Sequence, residues 1–206
     1  MIRPLPFLRD AFVRDERGSS AAEFGLVLPL LLILLLGILD TGRFMWEYNE
    51  AEKATQMGAR YAVVTKMALG DSFRNYSFAT GGGVLAGTAV PLANFEVATC
   101  DTSACSCTGS ACGQVTYDAA AFDAIVARMR YFYPSITDSN VRVEYRNVGL
   151  GYAGDPSGPD VEPLVTVSLT GMRFQPLSSL IVGRSVTMPD FRASLTLEDG
   201  TGTVGN

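Results

Sequence analysis

The chain has 206 residues, 48% of them hydrophobic, with a net charge of −5 and an isoelectric point near 4.8. The acidic balance argues against a nucleic-acid partner, because phosphate binding requires a basic face. There is no histidine, which removes the commonest general base and the commonest transition-metal ligand.

The mean hydropathy of +0.20 is high for a wholly soluble protein, and the excess is concentrated near the N-terminus. Arg3, Arg9, Arg14 and Arg17 precede the short stretch Gly18-Ser19-Ser20-Ala21-Ala22-Glu23, and a leucine-rich run then extends from Phe24 to Leu39. That run is somewhat shorter than the ~20 residues a helix needs to span a bilayer. The small residues Ser19 to Ala22 make up the difference. Basic residues are denser before the run than just after it, where only Arg43 and Lys53 follow, so the positive-inside tendency places the N-terminus in the cytoplasm and the bulk outside. No small-x-small cleavage site follows the run, which argues against an ordinary secretory signal. Instead Ala51, Ala54, Gly58 and Ala62 form a small-residue stripe at helical spacing, with Glu47, Glu50, Lys53, Arg60 and Lys66 mostly off it. The pattern predicts one helix over 19–69, lipid-embedded in its first half and kinked at Pro29.

Glu23 stands at the lipid end of this helix. A carboxylate there favours the helix dipole. Its spacing gives it a second reading. Gly18, then Glu23 at the fifth position, then the aromatic Phe24 and a leucine-rich run, is the pattern that a prepilin peptidase cuts. Cleavage after Gly18 makes the amine of Ser19 a new charge, able to pair with Glu23 of a neighbouring subunit and set axial register.

The stretch RGSSAAEFGLVLPLLLILLLGILDTGRF, followed by GARYA at Gly58–Ala62, resembles the TadE-like proteins of the tight-adherence (Tad/Flp) pilus system. The resemblance implies a minor pilin or pseudopilin that supports pilus assembly, anchored by a single pass in the bacterial inner membrane with its C-terminal domain in the periplasm. It implies cleavage between Gly18 and Ser19, an assembly role for Glu23 and Phe24, and a possible association with the pilus after processing. The implied partners are the prepilin peptidase, other pilins and pseudopilins, the inner-membrane assembly proteins of the system, and membrane lipid. The organisation expected is a cytoplasmic leader over 1–18, the helix over 19–69 and an extracytoplasmic domain over 70–206.

Past the helix, Gly81-Gly82-Gly83 and Gly87 mark a loop, with no following GKS or GKT to make a phosphate cradle. Asn94 to Thr99 reads as a short strand. Phe122, Ile125, Val126, Met129 and Phe132 follow helical spacing, with Asp118 as N-cap and Pro134 as stop. Val141, Val143 and Tyr145, then Val165, Val167 and Leu169, then Phe191, Ala193, Leu195 and Leu197, alternate as half-buried strands do. The expected class is α+β: an antiparallel sheet packed on the long helix, with one further helix.

Cys100, Cys105, Cys107 and Cys112 form the pattern C-x4-C-x-C-x4-C. Outside the cytoplasm this reads as up to two disulfides stapling a loop. Three pairings are open, and a bridge between Cys105 and Cys107 is disfavoured by its geometry. A four-cysteine zinc site is the alternative, although the usual C-x2-C knuckle is missing. The segment Gly151 to Pro163 gathers Asp155, Asp160 and Glu162 among turn residues without EF-hand spacing, and reads as a connector. Asp101-Thr102-Ser103-Ala104-Cys105 does not complete a DxSxS metal motif. No cofactor or metal is implied. A tethered hydrolase is disfavoured as well, since there is no GxSxG elbow and no paired carboxylates at recognisable spacing. The alternative to the pilin reading is a bitopic membrane-anchored binding protein or adhesin that stays out of a pilus.

Overall fold

The computed structural model describes residues 19–70, 84–85, 87–110, 112–152, 162–198, 200 and 202. Gly18 and the residues before it, expected as a leader, the triple glycine at 81–83, and Asp155 and Asp160 of the acidic segment lie outside the described residues. The elements in chain order are helix α1 (Ser19–Val64), strands β1 (Val97–Cys100) and β2 (Cys105–Thr108), helix α2 (Ala119–Phe132), strands β3 (Val141–Arg146), β4 (Leu164–Leu169) and β5 (Arg173–Phe174), the single-turn helix α3 (Ser179–Val182), and strands β6 (Val186–Thr187) and β7 (Phe191–Thr196). The class is α+β: a long N-terminal helix, a shorter second helix and a small antiparallel sheet.

Two compact units divide the chain: one runs through Phe44 and takes in Gln175–Ser185, and the other comprises Met45–Phe174 with the chain from Val186 onward. In the second unit a five-stranded antiparallel sheet has the order β2-β1-β3-β4-β7, and β5 pairs with β6 in a separate two-stranded ribbon. Register follows the alternation in the sequence. Val143 lies opposite Val167 and Tyr145 opposite Val165, while Val167 and Leu169 on the far side of β4 meet Ala193 and Phe191. Val141, Val143, Tyr145, Val165, Val167 and Leu169 are all buried, whereas the interleaved Arg142 and Arg146 are exposed. This is the inside–outside division that the two-residue period of a strand imposes.

Helix α2 starts where Asp118 accepts a hydrogen bond from the Ala121 N–H at 3.0 Å, and it ends at Tyr133, just before Pro134. Ala121, Phe122, Ile125, Val126 and Met129 form its buried face. The C-terminal half of α1 completes the core. Ala51, Ala54, Ala59 and Ala62 are fully buried, and a Cβ placed on Gly58 would lie 2.7 Å from Met129 Cγ and 3.4 Å from Val167 Cγ1. The small-residue stripe therefore lets α1 approach α2 and β4 closely. At its edges Tyr48 meets Phe191 with ring centroids 4.9 Å apart, and Lys53 Nζ stands 5.3 Å from the Phe132 ring centroid.

The helix stops at Val64, five residues before the expected Leu69. Beyond it the backbone groups are committed elsewhere. Lys66 N–H donates to Gly202 O, the carbonyls of Ala68 and Leu69 accept from Asp118 and Thr116, and Ala68 N–H donates to the buried Tyr145 hydroxyl at 3.1 Å. A segment whose amides and carbonyls bond to the sheet domain cannot also complete helical turns. The first strand spans Val97–Cys100, slightly later than the expected 94–99. The loop before it is held by Asn147, whose amide donates to the carbonyls of Val90 and Phe95. Gly109, leaving β2 at φ +140°, is a required glycine: a Cβ there would run into the Asn94 carbonyl oxygen.

In the structure the four cysteine sulfurs form two bridges, Cys100–Cys105 and Cys107–Cys112. Cys100 and Cys105 are partners in register across the β1–β2 hairpin. The hairpin loop is closed by Asp101 Oδ1, which accepts from Ser103 N, Ser103 Oγ and Ala104 N. Those hydrogen bonds, the Ser103 N–H foremost, hold the Asp101 carboxyl below the usual range.

Candidate membrane and assembly segment

The N-terminal half of α1 is long and apolar enough to cross a membrane. Pro29 and the glycines Gly25 and Gly37 interrupt the run as a strand, whereas a helix bonds its backbone groups within the segment, as a hydrocarbon environment demands, losing only the one donor that Pro29 lacks. Helix α1 continues through Pro29, which membrane helices tolerate. Twelve large apolar side chains between Phe24 and Leu39 lie exposed, among them Phe24 at 64%, Leu26 at 80% and Leu30 at 72%. At roughly 1.5–3 kcal/mol for each such side chain taken fully out of water, and with these a little over half exposed, this face stands to gain on the order of 10–20 kcal/mol in an apolar medium. The span has a mean hydropathy of 2.6 over its best window, none of which is buried by the protein itself. Taking the helix from Ser20 to Leu39 gives a rise of ~30 Å, the thickness of a bilayer's hydrocarbon core. Such a helix points to a membrane-anchored protein.

Of the residues singled out from the sequence, Glu23 and Phe24 are exposed at the start of this helix, and Ser19 is its first residue. Gly18 lies outside the described residues. The four cysteines sit in β1, β2 and the short 3-10 turn Cys112–Gln114, in the other compact unit, so the cysteine staple and the helix start are separate features of the chain.

One residue carries more of the site than its place in the sequence suggested. Asp40, immediately after the apolar run, is 7% exposed although it is charged. Its two carboxylate oxygens accept hydrogen bonds from the backbone N–H groups of Leu177 at 2.5 Å and Ser178 at 2.9 Å. Arg43 adds its guanidinium 4.0 Å from the same carboxylate, and donates to Gln175 O at 3.5 Å. A carboxylate covered in this way needs such donors in place of the water it loses. The signal available in the sequence was chemical: an acidic residue abutting an apolar run needs either water or hydrogen-bond donors around it. Nothing in the sequence said that they would come from a segment 137 residues further on.

Among the described residues no group of three or more Cys, Asp or Glu is placed to hold a metal ion. No curated protein and no solved structure matches the chain. One family model does, that of the TadE-like proteins, over residues 18–60, from the glycine of the G-x4-E-F pattern almost to the end of α1. Residues 18–60 of this chain, which include its exposed apolar helix, are therefore similar to the TadE-like proteins, a similarity that suggests a Tad-pilus-associated protein.

Proposed function

We propose that the protein is a minor pilin or pseudopilin that supports assembly of a Tad/Flp-type pilus for surface adherence. The observation that carries this reading is the coincidence, within the TadE-like residues 18–60, of the Gly18…Glu23-Phe24 pattern with a helix whose apolar face the protein leaves uncovered. A prepilin peptidase cuts between Gly18 and Ser19. The helix remains in the inner membrane with its leader side cytoplasmic and the disulfide-stapled α+β domain in the periplasm. In contact with other pilins, Glu23 of one subunit pairs with the new amine of Ser19 on its neighbour, and Phe24 packs beside it.

The experiment compares Gly18→Leu and Glu23→Gln in a host that makes the pilus. A bulky residue at the cut point blocks processing, so Gly18→Leu leaves the full-length precursor in the membrane. Glu23→Gln keeps the side chain's size and removes its charge, so it inserts and is cut. If Glu23 pairs with Ser19, the substitution strands the neighbour's amine in low dielectric at a cost of ~3–5 kcal/mol, and assembly fails. If it only complements the helix dipole, the loss is about 0.3–1 kcal/mol and fibres still form, which would refute the register role. A periplasm-active reporter fused after Thr99 is active under the proposed topology; activity from a cytoplasmic reporter alone overturns it. An uncut chain with a normal membrane topology favours the bitopic binding protein instead.

A further inference from the structure

We infer that the segment 175–185 is a second, interfacial membrane contact: a lipid-headgroup-level loop held at the outer end of the transmembrane helix by Asp40. The inference rests on the reading that the first half of α1 lies in a bilayer.

The segment reads Gln175-Pro176-Leu177-Ser178-Ser179-Leu180-Ile181-Val182-Gly183-Arg184-Ser185 and leaves the two-stranded ribbon between Phe174 and Val186. It belongs to the same compact unit as the membrane half of α1. Its tip is the single turn α3, closed by Gly183 at φ +69°, and there Leu180 is 91% exposed, with Leu177 exposed beside it at 39%. Leu180 is the most exposed large apolar side chain among the described residues, on a turn held by the hydrogen bonds Ser179 N–H to Pro176 O and Gly183 N–H to Ser179 O, and it gains by leaving water wherever an apolar medium lies within reach.

Depth decides which surface. With the hydrocarbon core filled by Ser20 to Leu39, Asp40 stands at its outer boundary, and the headgroup layer beyond is roughly 5–7 Å thick. The Ser178 N–H lies 2.9 Å from the Asp40 carboxylate, so the loop backbone at that point is inside this layer. The two features explain each other. A carboxylate at a hydrocarbon boundary needs donors, and the loop supplies two. The loop in turn gains a fixed height, from which Leu180 reaches lipid. Arg184 is exposed on the same segment and Arg43 is already joined to Gln175, cations suited to lipid phosphates at this level.

The test uses the full chain in vesicles of phosphatidylcholine and phosphatidylglycerol. The chain has one tryptophan, Trp46; Trp46→Phe removes it and Leu180→Trp then provides a single probe. With acyl chains brominated close to the headgroup, the Leu180→Trp emission is expected to be blue-shifted, to lose most of its intensity to bromine and to resist aqueous iodide. Leu92→Trp, at a 59% exposed position of the other unit, serves as the water-exposed control. Adding Asp40→Ala releases the loop, and the bromine quenching falls toward that of the control; unchanged quenching overturns the tether. Emission from Leu180→Trp that is open to iodide and indifferent to bromine overturns the inference. So does a blue shift without bromine quenching, which means that protein rather than lipid covers the leucine. Flotation of the same vesicles separates the two readings: a chain that does not float defeats the membrane anchor itself, while one that floats with Leu180→Trp in water defeats only the loop contact.

Discussion

Filling Gly58 tests how the long helix joins the sheet domain. A methyl group at this position would stand 2.7 Å from Met129 Cγ, 2.9 Å from Met129 Sδ and 3.4 Å from Val167 Cγ1, whereas carbon atoms settle at ~3.5–4.0 Å. Met129 and Val167 are both fully buried, so neither can swing out to solvent. Overpacking costs about 1–3 kcal/mol, and replacing a helix-interior glycine with alanine returns about 1 kcal/mol. Gly58→Ala should therefore lose between about 0 and 2 kcal/mol, and Gly58→Leu about 3 kcal/mol. Gly42, with nothing within 4 Å of its would-be Cβ, is the control, and Gly42→Ala should be neutral or slightly stabilising. The assay is urea denaturation of the whole chain in detergent micelles, followed by near-ultraviolet circular dichroism. Met129→Ala alone should cost about 2–5 kcal/mol through the cavity it leaves. Combined with Gly58→Leu it should be more stable than the sum of the two single changes by at least about 1 kcal/mol, because the new side chain enters that cavity. Additivity to within about 0.5 kcal/mol, or a Gly58→Leu protein as stable as the parent, would refute the packing argument.

Tyr145→Phe removes the acceptor of the Ala68 N–H and should lower stability by about 1–3 kcal/mol, read as a lower denaturation midpoint at unchanged slope. Alkaline pH should destabilise the domain. Burial, and then the nearby Glu47 carboxylate, push Tyr133 up to about 12, and burial raises Tyr145 as well. Groups that keep their protons longer in the folded state contribute stability that is complete below the unfolded value of about 10 and is lost as pH rises toward the folded value. Denaturation midpoints should thus be flat around pH 8 to 9 and fall above about pH 10; a rise across that range would contradict the assignment. The two bridges predict an intact mass under denaturing conditions lower by four hydrogens, and no alkylatable thiols without reductant. With each bridge closing a loop of sequence separation 5, removing Cys100 and Cys105 together should cost about 2 kcal/mol.

Most of the periods in the sequence became buried faces. Strand β7 is the exception, where Phe191 is buried but Leu195 is exposed and Leu197 lies past the strand's end, because β7 is an edge strand with one neighbour only. The α2 face from Phe122 to Met129, the alternation through β3 and β4 and the stripe at Ala51, Ala54, Gly58 and Ala62 each reported a buried face, because burial is what the period encodes. Strand β2 had no such signal. Cys105-Ser106-Cys107-Thr108 alternates half-buried cysteines with exposed Ser and Thr but carries no large apolar residue, and its pairing with β1 comes from the hairpin that Asp101 closes. The two-residue strands β5 and β6 are too short for any period. The end of α1 at Val64 rather than Leu69 was set by bonds to Gly202, Thr116 and Asp118, all far along the chain. Of the candidate site, the apolar helix with Glu23 and Phe24 was legible from spacing alone. The Asp40 contact was not, because a hydrogen bond to the backbone of Leu177 and Ser178 leaves no mark on the identity of either residue.

The pilin reading meets its most direct test at the N-terminus of the mature chain. Protein purified from the envelope of a host that makes the prepilin peptidase is measured intact by mass spectrometry and sequenced from its amino end. The account predicts a chain that begins at Ser19, with Gly18 and everything before it removed. A mature protein that still carries the residues before Gly18 would contradict it.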